Sequence, residues 1–258
     1  MNLKIIFTPA FLLAIAGVWA QGTDIVYHDD TTRLKGYFSA PAKNTEPKKI
    51  SVVVIHAWMG ITAHERATVD RLSALGYRAM AADIYGEDVR PVNSKEAAAA
   101  AGYYKSNISV YHSRIRAAIE TLVKQGATPG QIAVAGYCFG GTGAIEAGRS
   151  GLPVKGIVSF HGGLGKDSTR MTMPVSARVL ILHGADDPFV QEKDIKKFQE
   201  EMREGKTDWQ MNYYSGAVHA FTDPAAGSDN SKGAAYNAKA DKRSWKAFVN
   251  FLEELNTE

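Results

Sequence analysis

One cysteine, one aspartate and one histidine carry the chemistry that this sequence can do. Cys138, the only cysteine among 258 residues, lies in Gly136-Tyr137-Cys138-Phe139-Gly140-Gly141. Asp187 lies in Gly184-Ala185-Asp186-Asp187-Pro188-Phe189-Val190, and His219 in Gly216-Ala217-Val218-His219-Ala220-Phe221. A thiol of ordinary pKa, near ~8.5, is mostly neutral at pH 7, and the attacking species is the thiolate. An imidazole within hydrogen-bond reach can take that proton and later return it to a leaving group. A carboxylate on the far ring nitrogen fixes the tautomer and stabilises the imidazolium. Each residue also has a plainer use: Cys138 as a small buried hydrophobe, Asp187 as a turn residue before Pro188, His219 as an idle loop histidine. Asp186 competes with Asp187, which its spacing from Gly184 and the following proline favour.

The elements around these residues set the plainer uses aside. Gln131 to Ala135 is a short apolar run of strand length, and Thr142 to Gly148 is rich in Ala and Gly and can open a helix. Strand, tight turn and helix form the setting of a nucleophile elbow, with small residues two before and two after the nucleophile so that strand and helix can approach. Val179 to His183 reads as a strand ending just before Asp187, and Trp209 to Tyr214 as one ending just before His219. The order nucleophile, acid, base is that of an α/β-hydrolase. The oxyanion hole then comes from two backbone N–H groups, that of Phe139 after the nucleophile and that of Trp58 after the first central strand. Trp58 also suits a rim aromatic.

Along the rest of the chain, Ile25 to Tyr27 and Leu34 to Ser39 read as an antiparallel hairpin. Ile50 to Ile55 is a continuous β-branched run, the mark of a strand buried on both faces. Helices are expected over His64 to Leu75, after a cap at Ser94, over Ser109 to Lys124, Glu192 to Arg203 and Ala234 to Leu255; further strands over Tyr77 to Ile84 and Val154 to Phe160. Strands alternating with helices give an α/β fold, a mostly parallel central sheet with helices on both faces, in which ligands bind beyond the carboxyl ends of the strands.

The chain is 45% hydrophobic and 22% charged, which suits one globular domain over residues 21–258. A formal charge of +3 argues against a nucleic-acid partner or an anionic membrane surface. Residues 1–20 differ: Lys4 gives a positive start, Ile5 to Val18 is almost wholly apolar, and Val18-Trp19-Ala20 suits a signal peptidase. The expectation is a cleaved signal peptide and export to the periplasm or the medium, with no stable membrane insertion afterwards. His56, His161 and His183 all fall at strand ends, but their spacing matches no zinc motif, so no metal is expected. His56 and His161 read as pocket lining and His183 as a hydrogen-bonded core residue.

The three motifs above, with Val53-Val54-Ile55-His56-Ala57-Trp58-Met59-Gly60 followed by Arg66 and Leu72, resemble the dienelactone hydrolase family, from about Asp24 to Leu252. The resemblance implies an α/β-hydrolase fold, a Cys138–His219–Asp187 triad, no cofactor and no metal. It also implies a small-molecule ester or lactone as substrate; the protein itself is expected as monomer or dimer. Three departures bear on the substrate. The family's glutamate after the position of His56 is replaced by Ala57, which joins His56 and His161 as a pocket candidate. The arginines that hold the substrate carboxylate align near Glu96 and Asp223, and an acid there repels a carboxylate. A leader peptide takes the protein away from the cytoplasm. The expectation is a relative acting on another ester or lactone through an acyl-enzyme thioester, with a weakly active binding protein or an acyltransferase as alternatives.

Overall fold

The computed structural model describes residues 21–171 and 173–257. The proposed signal peptide, residues 1–20, lies outside them. Eight strands form one sheet: β1 (Thr23–Asp29), β2 (Thr32–Ser39), β3 (Ser51–Ile55), β4 (Arg78–Ala82), β5 (Ile132–Tyr137), β6 (Gly156–Phe160), β7 (Arg178–Gly184) and β8 (Trp209–Tyr214). They run in the order β1-β2-β4-β3-β5-β6-β7-β8. The first two form the expected hairpin, β2 meets β4 antiparallel, and all the other pairings are parallel. The chain steps from β3 to β4 on one side and returns to place β5 on the other. The carboxyl ends of β3 and β5 therefore flank a topological switch point, where open α/β sheets bind ligands.

Six α-helices cover the sheet: α1 (Ala63–Ala74), α2 (Ser94–Ser106), α3 (Ile108–Lys124), α4 (Phe139–Arg149), α5 (Glu192–Glu204) and α6 (Ala238–Thr257). The β-branched run in β3 explains how it is buried on both faces. Val53 and Ile55 join one core with Tyr111 and Ile115 of α3, Ala144 of α4 and Phe198 of α5. Val52 and Val54 join the other, with Val69 and Leu72 of α1 and Phe248 and Leu252 of α6. None of the described helices is long and apolar enough to cross a membrane.

Two expected boundaries move, each for a hydrogen-bonding reason. The cap of α2 is Asn93 rather than Ser94, its Oδ1 accepting from Glu96 N at 3.0 Å. The final helix, expected from Ala234, begins only at Ala238, because the preceding residues are taken by the His219 loop. Ala235 N donates to His219 O at 3.0 Å, and His219 N to Gly233 O at 3.1 Å.

The elbow helix α4 is anchored by a buried charge cluster. Every donor direction of the Arg149 guanidinium is used: Nε and one terminal nitrogen meet Glu201 (3.0 and 2.6 Å), and the rest meet Glu146 Oε1, Gly165 O and Leu164 O. Glu146 Oε2 also meets His112 of α3 (3.0 Å) and Arg170 (2.8 Å). Burial pushes the Glu146 carboxyl up, but these partners outweigh it and hold it down to about 2. Arg149→Met leaves Glu201 and Glu146 buried without this shared partner. It is expected to cost about 3–5 kcal/mol in urea unfolding, whereas Lys232→Met, at an exposed pair, should cost under about 1 kcal/mol.

Candidate active site

The nucleophile turn follows from two close approaches. A Cβ on Gly136 would overlap the Gly140 carbonyl, and one on Gly140 would overlap the Ile55 carbonyl, so strand β5, helix α4 and strand β3 touch only because both are glycine. Between them Cys138 takes φ 53°, the left-handed region a side chain rarely adopts, and α4 begins at the next residue. The thiol is left half-buried at the carboxyl end of β5.

The structure brings the three distant motifs together there. His219 Nε2 lies 3.0 Å from Cys138 Sγ, and His219 Nδ1 lies 2.7 Å from Asp187 Oδ2. The other oxygen of Asp187 accepts from Phe189 N at 2.9 Å, which fixes the carboxylate in the loop after β7. Asp186 is occupied elsewhere, accepting from Gly216 N at 2.9 Å. Burial pushes the Cys138 thiol up, but hydrogen bonding and charge from His219 win, helped by the charge of Lys105 and the Phe139 N–H, and its pKa falls below the ordinary thiol value. Burial opposes charge on His219 too, but Asp187 and Cys138 hold the proton and raise it to about 10. Both shifts favour a thiolate beside an imidazolium at neutral pH.

The loop after β3 orients one peptide. His56 Nε2 accepts from Ile84 N at 3.2 Å, so its proton is on Nδ1, which donates to Ala57 O at 2.6 Å. Gly60 N donates to the same carbonyl at 3.2 Å. A trans peptide sets its N–H opposite its C=O, so the Trp58 N–H points away from these donors, and it has no protein acceptor among the described residues. Glu65 Oε1 accepts from Ala57 N at 3.1 Å, and Tyr85 donates to Trp58 O at 2.9 Å. The Trp58 ring is partly exposed, and so is Phe189, whose ring meets His219 edge-on at 5.5 Å.

Two pocket expectations are corrected. His56 is fully buried between the Tyr85 and Phe139 rings (4.6 and 5.7 Å) and lines no pocket; it holds the loop backbone. His161, 2% exposed, lies beneath the thiol rather than beside the substrate space, its Nδ1 accepting from Cys138 N at 3.2 Å. Ala57 is partly exposed. His183 is buried but not hydrogen-bonded through Nδ1; it packs edge-on against Tyr213 at 5.4 Å. Glu96 and Asp223 both serve as local caps, Glu96 accepting from Val92 N and Asp223 from Ala225 N. Sequence reasoning missed Glu65, Tyr85 and Phe189. Only Glu65 left a signal, since Thr62-Ala63-His64-Glu65 spells a capping box, which the structure forms.

Fold and strand-end site define an α/β-hydrolase. The chain belongs to the dienelactone hydrolase family, which it matches over residues 34–256. It is similar to a solved dienelactone hydrolase-like promiscuous phosphotriesterase from metagenomic libraries, at 36% identity and a TM-score of 0.84, covering 91% of this chain and 98% of that one. It is 25% identical to a Bradyrhizobium protein named "Probable 2-oxo-3-(5-oxofuran-2-ylidene)propanoate lactonase", over 66% of this chain and 73% of that one. A Saccharolobus solfataricus protein with the provisional name carboxymethylenebutenolidase is 21% identical over 90% of this chain and 98% of its own.

Proposed function

We propose that the protein is an exported carboxylic ester hydrolase in which Cys138, His219 and Asp187 act as a catalytic triad. The 3.0 Å approach of His219 Nε2 to Cys138 Sγ, with Asp187 behind the ring, carries this reading. The thiolate attacks the acyl carbonyl, and the Trp58 and Phe139 N–H groups receive the oxyanion. As the C–O bond breaks, His219 gives its proton to the departing alkoxide, leaving a Cys138 thioester. Water, deprotonated by His219, then releases the acid and regenerates the thiol. A hole donor of this kind is worth about 100- to 1000-fold in turnover.

A thiolate is itself a good leaving group, so the first adduct collapses backward unless the alkoxide leaves readily. Aryl esters, enol esters and strained lactones are therefore the substrate class. Hydrolysis of matched aryl and alkyl acetates tests this: turnover should be much faster on the aryl ester, and equal rates on both refute the leaving-group argument. An aryl phosphotriester belongs in the same panel, because the 36% identical relative is named for that activity. The thiolate would there attack phosphorus in place of carbon, the P–O bond to the aryloxide breaking as His219 gives that leaving group its proton.

A further inference from the structure

His161 is a second histidine against the nucleophile, and its hydrogen bonds leave it one protonation state. Cys138 N–H is a donor, so His161 Nδ1 must offer a lone pair; the single proton of the neutral ring is then on Nε2, which donates to Thr222 Oγ1 at 2.8 Å. Burial keeps the ring neutral, and the charge on His219 acts in the same sense. With its lone pair occupied, the ring cannot take a proton from His219, although the two rings stand edge-to-face at 5.2 Å. It is no alternative base. What it does is join two segments: the backbone of the nucleophile at one end, and at the other the loop that carries His219 three residues before Thr222.

The backbone at this junction is held away from its preferred conformations. Among the described residues, five without glycine's freedom have positive φ, and three of them lie here: Cys138 at 53°, His161 at 40° and Ala220 at 56°. Such conformations persist only where the surroundings over-determine them. Cys138 N–H is further shared with Phe160 O at 3.0 Å, and His161 N donates to Leu182 O at 2.9 Å, so the bridge is rooted in β6 and β7.

We propose that His161 is a positioning residue that sets the Cys138–His219 separation by tying the nucleophile turn to the Thr222 end of the base loop. This deepens the hydrolase reading and rests on it for its catalytic consequence. Loosening either end lets Sγ and Nε2 drift apart, which weakens the interaction that keeps the thiol ionised. Lys105 of α2 is the other cation acting on that thiol, and it remains in place.

The test uses H161N and T222V, singly and together. Asparagine tolerates positive φ and can present an oxygen to Cys138 N–H, but does not reach Thr222; valine removes the far acceptor without changing shape. Both singles should melt within about 4 °C of the parent. Their kcat should fall about 10- to 100-fold with KM little changed, as a misplaced catalytic pair requires. The pH profile of Cys138 alkylation by iodoacetamide should move up toward ~8.5, and the double variant should be no worse than the worse single, as for one shared linkage. Folded singles with the parent's kcat and alkylation profile overturn the proposal, and so does a loss of activity with an unmoved profile. If H161N fails to fold, T222V decides by the same two readings. Alkylation needs no substrate, which separates the two claims. A parent that hydrolyses no ester, but whose thiol profile shifts in both variants, refutes the function and keeps the bridge; an active parent with unshifted variants does the reverse.

Discussion

Cys138→Ala is expected to lower kcat/KM for an aryl acetate by on the order of 10⁴-fold or more, while leaving the fold intact. Removing the nucleophile of a unit that works together removes nearly all that the unit contributes, and the remainder comes from binding and the oxyanion donors. The folded state should tolerate the change. Alanine keeps the Cβ that the φ 53° turn already accommodates, and the strand-to-helix contact is set by Gly136 and Gly140 rather than by sulfur. The variant should therefore melt close to the parent and still present the Trp58 and Phe139 N–H groups. The thioester provides a second readout. Mass spectrometry of the parent quenched during turnover should find the acyl group on Cys138, and the alanine variant should carry none. An alanine variant that keeps a tenth of the parental rate would place the chemistry elsewhere.

The elbow was legible because two glycines at fixed spacing serve almost no other purpose around a cysteine, and the structure shows what a Cβ at either would strike. The alternation of strands and helices gave the sheet for a similar reason: Ile50 to Ile55 is too apolar to lie anywhere but between two layers. Side-chain direction was not legible. His56 and His161 stand at strand ends, as pocket residues do, yet each turns inward because a backbone partner waits there, Ala57 O for one and Cys138 N–H for the other. Those partners come from chain reversals that sequence spacing does not define. Residues 234–237 misled in the opposite way. Their helix-forming alanines are overruled by pairing with the His219 loop, a tertiary contact worth more than propensity.

Asp187→Asn should lower kcat by about 10⁴-fold, the size expected when the acid of such an array is lost and the imidazole adopts the wrong tautomer. The hydrogen bonds of this site say which tautomer that is. The carboxylate accepts twice, from Phe189 N through Oδ1 and from His219 Nδ1 through Oδ2. An asparagine has one oxygen, and the fixed backbone N–H of Phe189 claims it. The amide NH₂ is then turned toward His219 Nδ1, which must offer a lone pair, so the ring proton moves to Nε2 and faces Cys138. In that state the ring cannot take the thiol proton, whatever its distance from the sulfur. The pH dependence carries the same sign. In the parent, the active pair is lost on the acid side as the thiolate gains its proton, below the ordinary thiol value because the pKa is lowered. On the alkaline side it is lost as His219 gives up its proton, near about 10. Activity should hold across the range between these two limbs. Asp187 is the foremost group holding the His219 proton in place, so in the asparagine variant the alkaline limb should move down toward the ordinary imidazole value near ~6.5. A variant whose alkaline limb stays with the parent's would show that the carboxylate does not govern the charge of the ring.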